Sequence, residues 1–352
     1  MTLAVTILTQ STSDRRRPSA LRSRSIWLVT AAFLLFCVTA ANGHAQTCVT
    51  QAQMSGPERD GLAAVARKMS ANVLAGDSAA LRDSSTPELQ KDFAGVAQAI
   101  TDLSDARTGA VTIRSIYLLD NSTAQTSGEV AQFFCGAYNT PMHVTFTLSD
   151  LKAGRYAVVT VHVTGVESPR QLSYVLQDLN GWKLAGFIAK PLFQGGHDGV
   201  WHWQRARELQ RKHESWNAEL SFQIAKQLLT PVGFLSSANL EKLATEEQAA
   251  QPGDWPTELR PLVLTVDGKQ VKVMEMAPVI SARNTADLSI SLHVEQEDGG
   301  DPATSNARNQ AVVKELVRKI PELRELFSLI VVTEVSTKNA PQTTIVSLKS
   351  IP

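Results

Sequence analysis

Apolar positions in the first half of the chain recur first at helical and then at strand spacing. Residues 56–75 carry them three and four positions apart, which predicts an amphipathic helix that ends near Gly76. Residues 86–104 predict a second helix, because Thr86 suits a cap and Pro87 suits the first helical position. Segments with a period of two follow, and each predicts a strand: 111–119, 128–137, 142–151, 155–166, 170–179 and 181–191.

The order of these elements predicts an α+β domain over residues 46–193. Turn residues separate the strands, and Asn180-Gly181, between the last two, is typical of a tight hairpin. Helices followed by a run of antiparallel strands favour a layer of helices on one face of a curved sheet.

Residues 194–250 predict a helical connector. The segment shows no strand alternation, and Pro231 is expected to end its first helix. A short helix is predicted over 240–250. The apolar and aromatic positions of the first helix follow one stripe at helical spacing: Trp203, Ala206, Leu209, His213, Trp216, Leu220, Ile224 and Leu228.

Residues 251–352 predict a second, smaller α+β domain, which a Pro- and Gly-containing linker opens. Asp267-Gly268 is the expected turn of a hairpin over 259–277. A strand is predicted at 287–297, and an amphipathic helix at 306–327 is interrupted or restarted at Pro321. Paired strands at 326–335 and 343–351 complete the domain. The chain as a whole is therefore predicted to belong to the α+β class.

The N-terminus has the three parts of a secretory signal peptide. Five arginines precede an apolar stretch over 26–41, which is 16 residues long and shorter than the roughly 20 that a membrane span needs. Gly43-His44-Ala45 fits a small-residue cleavage site. Cys37 lies inside the apolar stretch, which does not suit a lipoprotein cysteine. These features predict removal of residues 1–45 and a periplasmic or secreted protein; the alternative is an uncleaved anchor, the one case in which the chain would be held at a membrane.

Cleavage changes both the charge and the cysteine inventory. The whole chain holds 34 basic and 34 acidic residues; losing five of the former and one of the latter leaves a formal charge of −4. Nucleic acid is therefore not expected as a partner, because phosphate binding draws on clustered Lys and Arg. Cys48 and Cys135 remain, and an even number in an oxidising compartment suggests one disulfide between them. Two unrelated buried thiols are the alternative.

Three tryptophans and a histidine in the connector are the candidate binding residues. Trp201, Trp203 and Trp216 lie within 16 residues, close to His197. Positions two apart on a helix point in nearly opposite directions, so Trp201 and Trp203 cannot both face one core. One interpretation buries Trp203 and Trp216 and packs Trp201 against the first domain. The other makes the aromatic side chains a platform for a glycan or a peptide.

No motif of the chain predicts a metal or a cofactor. His197, Asp198, His202, Glu208 and His213 lack the i, i+4 histidine pair that a helical metal site uses, so a polar junction between sheet and helix is favoured. A solvated acidic turn is similarly favoured over a calcium site at Glu295, Glu297, Asp298 and Asp301. Strand alternation places two more histidines, His143 and His162, among threonines on polar faces rather than in a pocket.

Two resemblances add to this interpretation. The order of elements in 46–193, with the closing hairpin YVLQDLNGWKLAGFIAK, resembles the nuclear-transport-factor-two-like cone fold that ketosteroid isomerases share. Residues 195–243 resemble the middle of an uncharacterised group of exported bacterial proteins, and ESWNAELSFQIAKQLL is similar to one degenerate tetratricopeptide helix. No 34-residue repeat supports a solenoid. The second resemblance implies export and a binding or scaffolding role.

These observations favour a non-enzymatic protein that binds an unknown envelope protein or small ligand. The alternative is an enzyme of the ketosteroid isomerase or dehydratase type, with a pocket inside the cone. A third hypothesis is a chaperone or adaptor that docks through its helical segment. The cone resemblance also implies a possible homodimer through the open sheet face, where threonines recur at 143–147 and 160–164.

Overall fold

The structure, a computed structural model, has mixed α+β architecture, which confirms the predicted class. It describes residues 46–123, 130–137, 140, 143–281, 288–295, 302–335 and 341–351. The predicted signal peptide and most of the acidic turn (residues 296–301) lie outside the described residues.

Helices and short strands alternate along the described chain. Up to residue 198 the elements are β1 (Thr47–Thr50), α1 (Gly56–Ala75), α2 (Ser78–Asp83), α3 (Pro87–Lys91), α4 (Ala94–Thr101), β2 (Ala110–Asp120), β3 (Ala131–Cys135), β4 (Val144–Leu148), β5 (Arg155–Thr164), β6 (Arg170–Asp178), β7 (Trp182–Pro191), β8 (Phe193–Gln194) and β9 (His197–Asp198). They continue with α5 (Gly199–Arg211), α6 (Ser215–Leu229), β10 (Leu235–Ser237), α7 (Ala238–Ala250), β11 (Leu262–Val266), β12 (Lys269–Val279), β13 (Ser289–Glu295), α8 (Pro302–Lys319), α9 (Leu323–Leu326), β14 (Leu329–Val335) and β15 (Gln342–Ser347).

The first helix follows its sequence pattern, and the second does not. The side chain of Ser55 caps α1 by accepting the N–H of Glu58, and Gly76 ends it with a positive φ of 75°. The predicted helix over 86–104 is divided into α3 and α4. The backbone of Asp92 leaves the helical region there, and Phe93 is buried in the core of the first domain.

Helices α1 to α4 cover one face of an antiparallel sheet with the order β1-β2-β5-β6-β7. The predicted hairpin joins β6 to β7, and both Asn180 and Gly181 have positive φ. Apolar side chains from the two layers fill the space between them: Leu62, Ala66, Met69, Val73, Ile116, Val159, Val161, Leu172 and Leu176, among others.

The strands of the first domain form two sheets rather than one. Strands β3 and β4 pair with each other, and β10, which comes from the connector, adds to β4. This smaller sheet packs on the face of the larger sheet that the helices leave open, through Phe133, Phe146, Val158 and Val232. Because Val232 and β10 belong to residues 194–250, the connector completes the first domain's second core.

A disulfide joins β1 to β3, as the cysteine inventory predicted. Cys48 and Cys135 are bonded, with 5.1 Å between their Cα atoms and 87 positions between them in sequence. The bond ties the first described strand to the smaller sheet. Within the described residues, no helix is long and apolar enough to cross a membrane.

The helical stripe of the connector is broken in the structure. His213 has a positive φ of 64°, so α5 and α6 are two helices with a tight turn between them. The stripe therefore divides between two cores. Ala206 of α5 packs with Phe222, Ala225 and α7, whereas the continuation of the stripe packs on the C-terminal sheet: Trp216, Leu220, Ile224 and Leu228.

Helix α6 is capped by a residue more than 100 positions away. Its own preceding residue makes no side-chain capping bond. Instead Glu322 Oε1 accepts the backbone N–H of Trp216 at 2.8 Å, and the backbone carbonyl of Glu322 accepts a bond from the Asn217 amide. A carboxylate at a helix N-terminus satisfies orphan donors and favours the helix dipole, so this contact fastens α6 to the C-terminal residues.

The C-terminal strands form a mixed sheet with the order β11-β12-β13-β14-β15. The predicted hairpin joins β11 to β12, and both Asp267 and Gly268 have positive φ, as a type I′ turn requires. Strands β13 and β14 are parallel, with α8 in the connection between them. Helix α8 and helix α6 both contribute to the core on one face of this sheet.

We expect loss of the disulfide to lower the free energy of unfolding by up to about 4 kcal/mol, because the bond restricts a long loop in the unfolded chain. Urea unfolding of the chain from residue 46 onward, with and without reductant, measures this difference. The Cys48→Ser/Cys135→Ser variant is the control, and its midpoint should not respond to reductant. Equal stability of the oxidised and reduced protein would contradict a structural role for the bond.

Candidate functional site

Two of the predicted binding residues meet at the start of α5. The imidazole of His197 stacks on the indole of Trp201, with 3.6 Å between ring centroids and 8° between planes. Asp198 caps the helix by accepting the N–H of Trp201 at 2.8 Å. The neighbouring Val200 is an exposed apolar side chain. Together, residues 197–201 form a small aromatic surface, which we call the α5 entrance.

His202 lies directly beneath the α5 entrance and is buried. Its Nε2 is 2.8 Å from the carbonyl oxygen of Gln194, and its ring meets Trp201 edge to face at 5.0 Å. The side-chain oxygen of Gln194 in turn accepts the N–H of Ser281. Burial lowers the pKa of His202 below its ordinary value of 6.5. A neutral imidazole therefore joins the end of the first sheet, the start of α5 and the residue that follows β12.

The other two tryptophans lie elsewhere. Trp203 donates from Nε1 to Glu246 Oε2 of α7 at 2.7 Å, and the guanidinium of Arg207 lies 4.4 Å from its ring centroid while also pairing with Glu246. Trp216 is buried in the C-terminal core, 5.2 Å from the ring of Trp255. The three tryptophans thus pack in three separate places and do not form one aromatic platform.

The remaining histidines and carboxylates of the connector do not converge. Asp198 is engaged as a cap, Glu208 pairs with Arg205, and His213 is exposed at the turn between α5 and α6. Among the residues that the structure describes, no three His, Cys, Asp or Glu side chains are grouped as metal ligands would be.

His143 and His162 lie away from the helices of the first domain. His143 is half-buried, and its ring stacks on the exposed Phe134 at 5.8 Å. His162 is half-buried on the face of β5 opposite the buried valines; burial and the charge of Arg114 lower its pKa. The neighbouring Thr160 on that face is buried.

The side of the sheet that carries Thr160 is partly covered by the chain itself. Ser173, the register partner of Thr160, donates its hydroxyl to the carbonyl of Pro231. Lys190 Nζ reaches the carbonyl of Thr230 at 2.8 Å. A second copy of the chain could therefore reach only what the connector leaves open on this face.

One polar pair lies within the apolar layer between helices and sheet. The hydroxyls of Ser70 and Tyr174 are 2.8 Å apart and fully buried. Burial raises the pKa of Tyr174, so the phenol remains protonated. The side chains around this pair are those of the filled helix–sheet core.

A surface groove of about 540 Å³ lies on the outside of α2, α3 and α4. Its size is within the range of small-molecule sites. It carries both basic and acidic groups over an apolar base, and they are largely exposed to solvent: Ser78, Ala79, Arg82, Asp83, Gln90, Lys91, Phe93, Ala94 and Ala97 line it. The mixed charges at its rim define no particular ligand.

Sequence patterns did not reveal two buried carboxyl groups. Glu334 of β14 is only 1% exposed; it pairs with Arg308 of α8 at 2.9 Å and accepts the hydroxyl of Ser305. Glu219 of α6 is also 1% exposed, and burial raises its pKa to about 7. Both glutamates break the apolar pattern of a buried element, which was the available signal, but their partners are distant in sequence.

Comparisons with known proteins identify no relative. No protein-family model matches the chain, and neither a curated protein nor a solved structure does. The cone-type and tetratricopeptide-like resemblances therefore stay predictions.

We expect His202 to make the protein less stable in acid. Its folded-state pKa lies below 6.5, so the unfolded chain binds the extra proton more readily and stability is lost as pH falls below about 6.5. Thermal unfolding at pH 7 and pH 5 should show a smaller loss in His202→Gln than in the unchanged protein. His213→Gln, at an exposed position, is the control and should behave as the unchanged protein does. Equal losses in all three would contradict the buried neutral imidazole.

Proposed function

We propose that this chain is an exported, non-enzymatic protein that binds a partner or ligand in the periplasm or outside the cell. The observation that carries the proposal is the filled space between the helices and the main sheet of the first domain. An enzyme of the cone type needs a cavity there, whereas this layer holds packed Leu, Val, Met and Phe side chains around the single Ser70–Tyr174 pair.

The disulfide supports the exported location. Cys48 and Cys135 are bonded, and bonds of this kind persist in oxidising compartments. The bond lies just after the proposed cleavage site, so it would form only once residues 1–45 had directed the chain out of the cytoplasm. The mature chain would then begin near Gln46.

The α5 entrance is the proposed contact surface. It combines an exposed apolar residue, Val200, with the stacked His197 and Trp201, and a buried histidine holds it in place from below. Aromatic and histidine side chains at an exposed edge suit a protein or peptide partner.

An enzyme of the ketosteroid isomerase type is the second candidate, and the Ser70–Tyr174 pair is the observation that favours it. A buried phenol can donate a hydrogen bond to a developing enolate oxygen. A substrate could reach this phenol only if α1 moved away from the sheet, because both hydroxyls are buried in the closed layer.

Isomerase activity separates the two candidates. We expect residues 46–352 to convert a β,γ-unsaturated 3-ketosteroid to its conjugated isomer no faster than buffer, as followed by the ultraviolet absorbance of the conjugated ketone. Turnover that Tyr174→Phe abolishes, and that the exposed Lys68→Ala leaves intact, would contradict the non-enzymatic proposal. The mass of the protein recovered from the periplasmic fraction tests export in the same preparation, because a chain that keeps residues 1–45 would contradict cleavage.

A further inference from the structure

Glu219 is a buried acid at the contact between α6 and α7. Its side chain is 1% exposed, and Oε1 accepts a bond from the Gln223 amide at 2.8 Å. Oε2 is also buried and has no hydrogen-bond partner. An ionised carboxylate normally accepts several hydrogen bonds, so this environment suits the protonated acid.

The charged groups around Glu219 also favour its protonated form. Glu247 of α7 acts on it as a like charge, and Lys226 of α6 as the opposite charge. The ammonium of Lys226, however, lies 2.8 Å from Glu247 Oε2, so it is held at the other carboxylate. Burial and Glu247 raise the pKa of Glu219 to about 7, while the amides of Gln223 and Gln251 and the charge of Lys226 act in the opposite direction.

We propose that Glu219 is a proton-operated lock that holds α7 on α6 when its carboxyl group is protonated and loosens α7 when the proton is lost. An ionised Glu219 would be a buried charge next to Glu247, with one oxygen unsatisfied. Movement of α7 admits water to both carboxylates and relieves this cost.

The contacts of α7 are few enough for such a movement. Its buried apolar contacts with α5 and α6 are a small cluster of Ala206, Phe222, Ala225, Leu243 and Ala250. Its polar contacts are the Lys226–Glu247 pair and the bonds from Trp203 and Arg207 to Glu246. Loosening α7 would therefore uncover Trp203 and Arg207 on α5, which are two groups well suited to a protein partner. The lock goes beyond the proposed binding role and does not depend on which partner is bound.

The direction of the pH effect follows from the raised pKa. The protonated carboxyl contributes stability fully below about pH 4.5, and this contribution is lost as pH rises through about 7. With those two values, the ratio of loosened to docked α7 should rise about tenfold between pH 6 and pH 8.5. His202, which destabilises the fold in acid, acts in the opposite direction and is removed by comparing variants.

Hydrogen exchange of the chain from residue 46 onward, followed by mass spectrometry over 238–250, tests the lock. After correction for the intrinsic pH dependence of exchange, protection of α7 should fall about tenfold from pH 6 to pH 8.5 in the unchanged protein and should not fall in Glu219→Gln. Glu241→Gln, at an exposed position on α7, is the matched control and should behave as the unchanged protein does. Unchanged protection of α7, or an equal fall in Glu219→Gln, would overturn the proposal.

A direct titration keeps the proposal testable even if Glu219→Gln does not fold. Carboxyl carbon shifts of the unchanged protein, read by nuclear magnetic resonance, should show one glutamate that titrates near pH 7. Titration of every glutamate near its ordinary pKa of about 4.3 would overturn the lock.

Discussion

The packing of α6 is the constraint on which the rest of the structure depends. One of its faces completes the core of the C-terminal sheet, and another contacts α5 and α7. Its last turn lies over the main sheet of the first domain, where Lys190 donates to the carbonyls of Gln227 and Thr230. The chain then continues into β10, which pairs with β4. A helix surrounded on so many sides has almost no exposed surface, and this explains why Glu219 is deprived of solvent.

The same packing explains what the sequence could and could not predict. Hairpin turns at Asn180-Gly181 and Asp267-Gly268, the strands around them and the Cys48–Cys135 bond are local or depend on simple counting, and the structure contains all of them. The break at His213 was not predictable in this way, because the residues on either side continue one helical stripe. The stripe remains in phase even though its two halves pack in different cores.

Contacts between distant segments were also invisible to periodicity. Glu322 caps α6 from beyond α8, and β10 joins a sheet whose other strands lie about 90 residues earlier. The candidate site shows the same limitation. Proximity in sequence grouped Trp201, Trp203 and Trp216, whereas helix geometry and the turn at His213 direct them to three different surroundings. His197 and Trp201 do meet, because a tight hairpin places β9 directly before the first turn of α5.

The central claim is that α6 makes the first domain and the C-terminal sheet unfold as one unit, and Leu220→Ala tests it most directly. Native-state hydrogen exchange measures the free energy of opening separately in β5 and β6 and in β13 and β14. Truncating a buried leucine costs roughly 2–5 kcal/mol, and we predict that both regions lose the same amount, while the exposed Ile345→Ala leaves both unchanged. A loss confined to β13 and β14, with β5 and β6 as protected as before, would contradict the account.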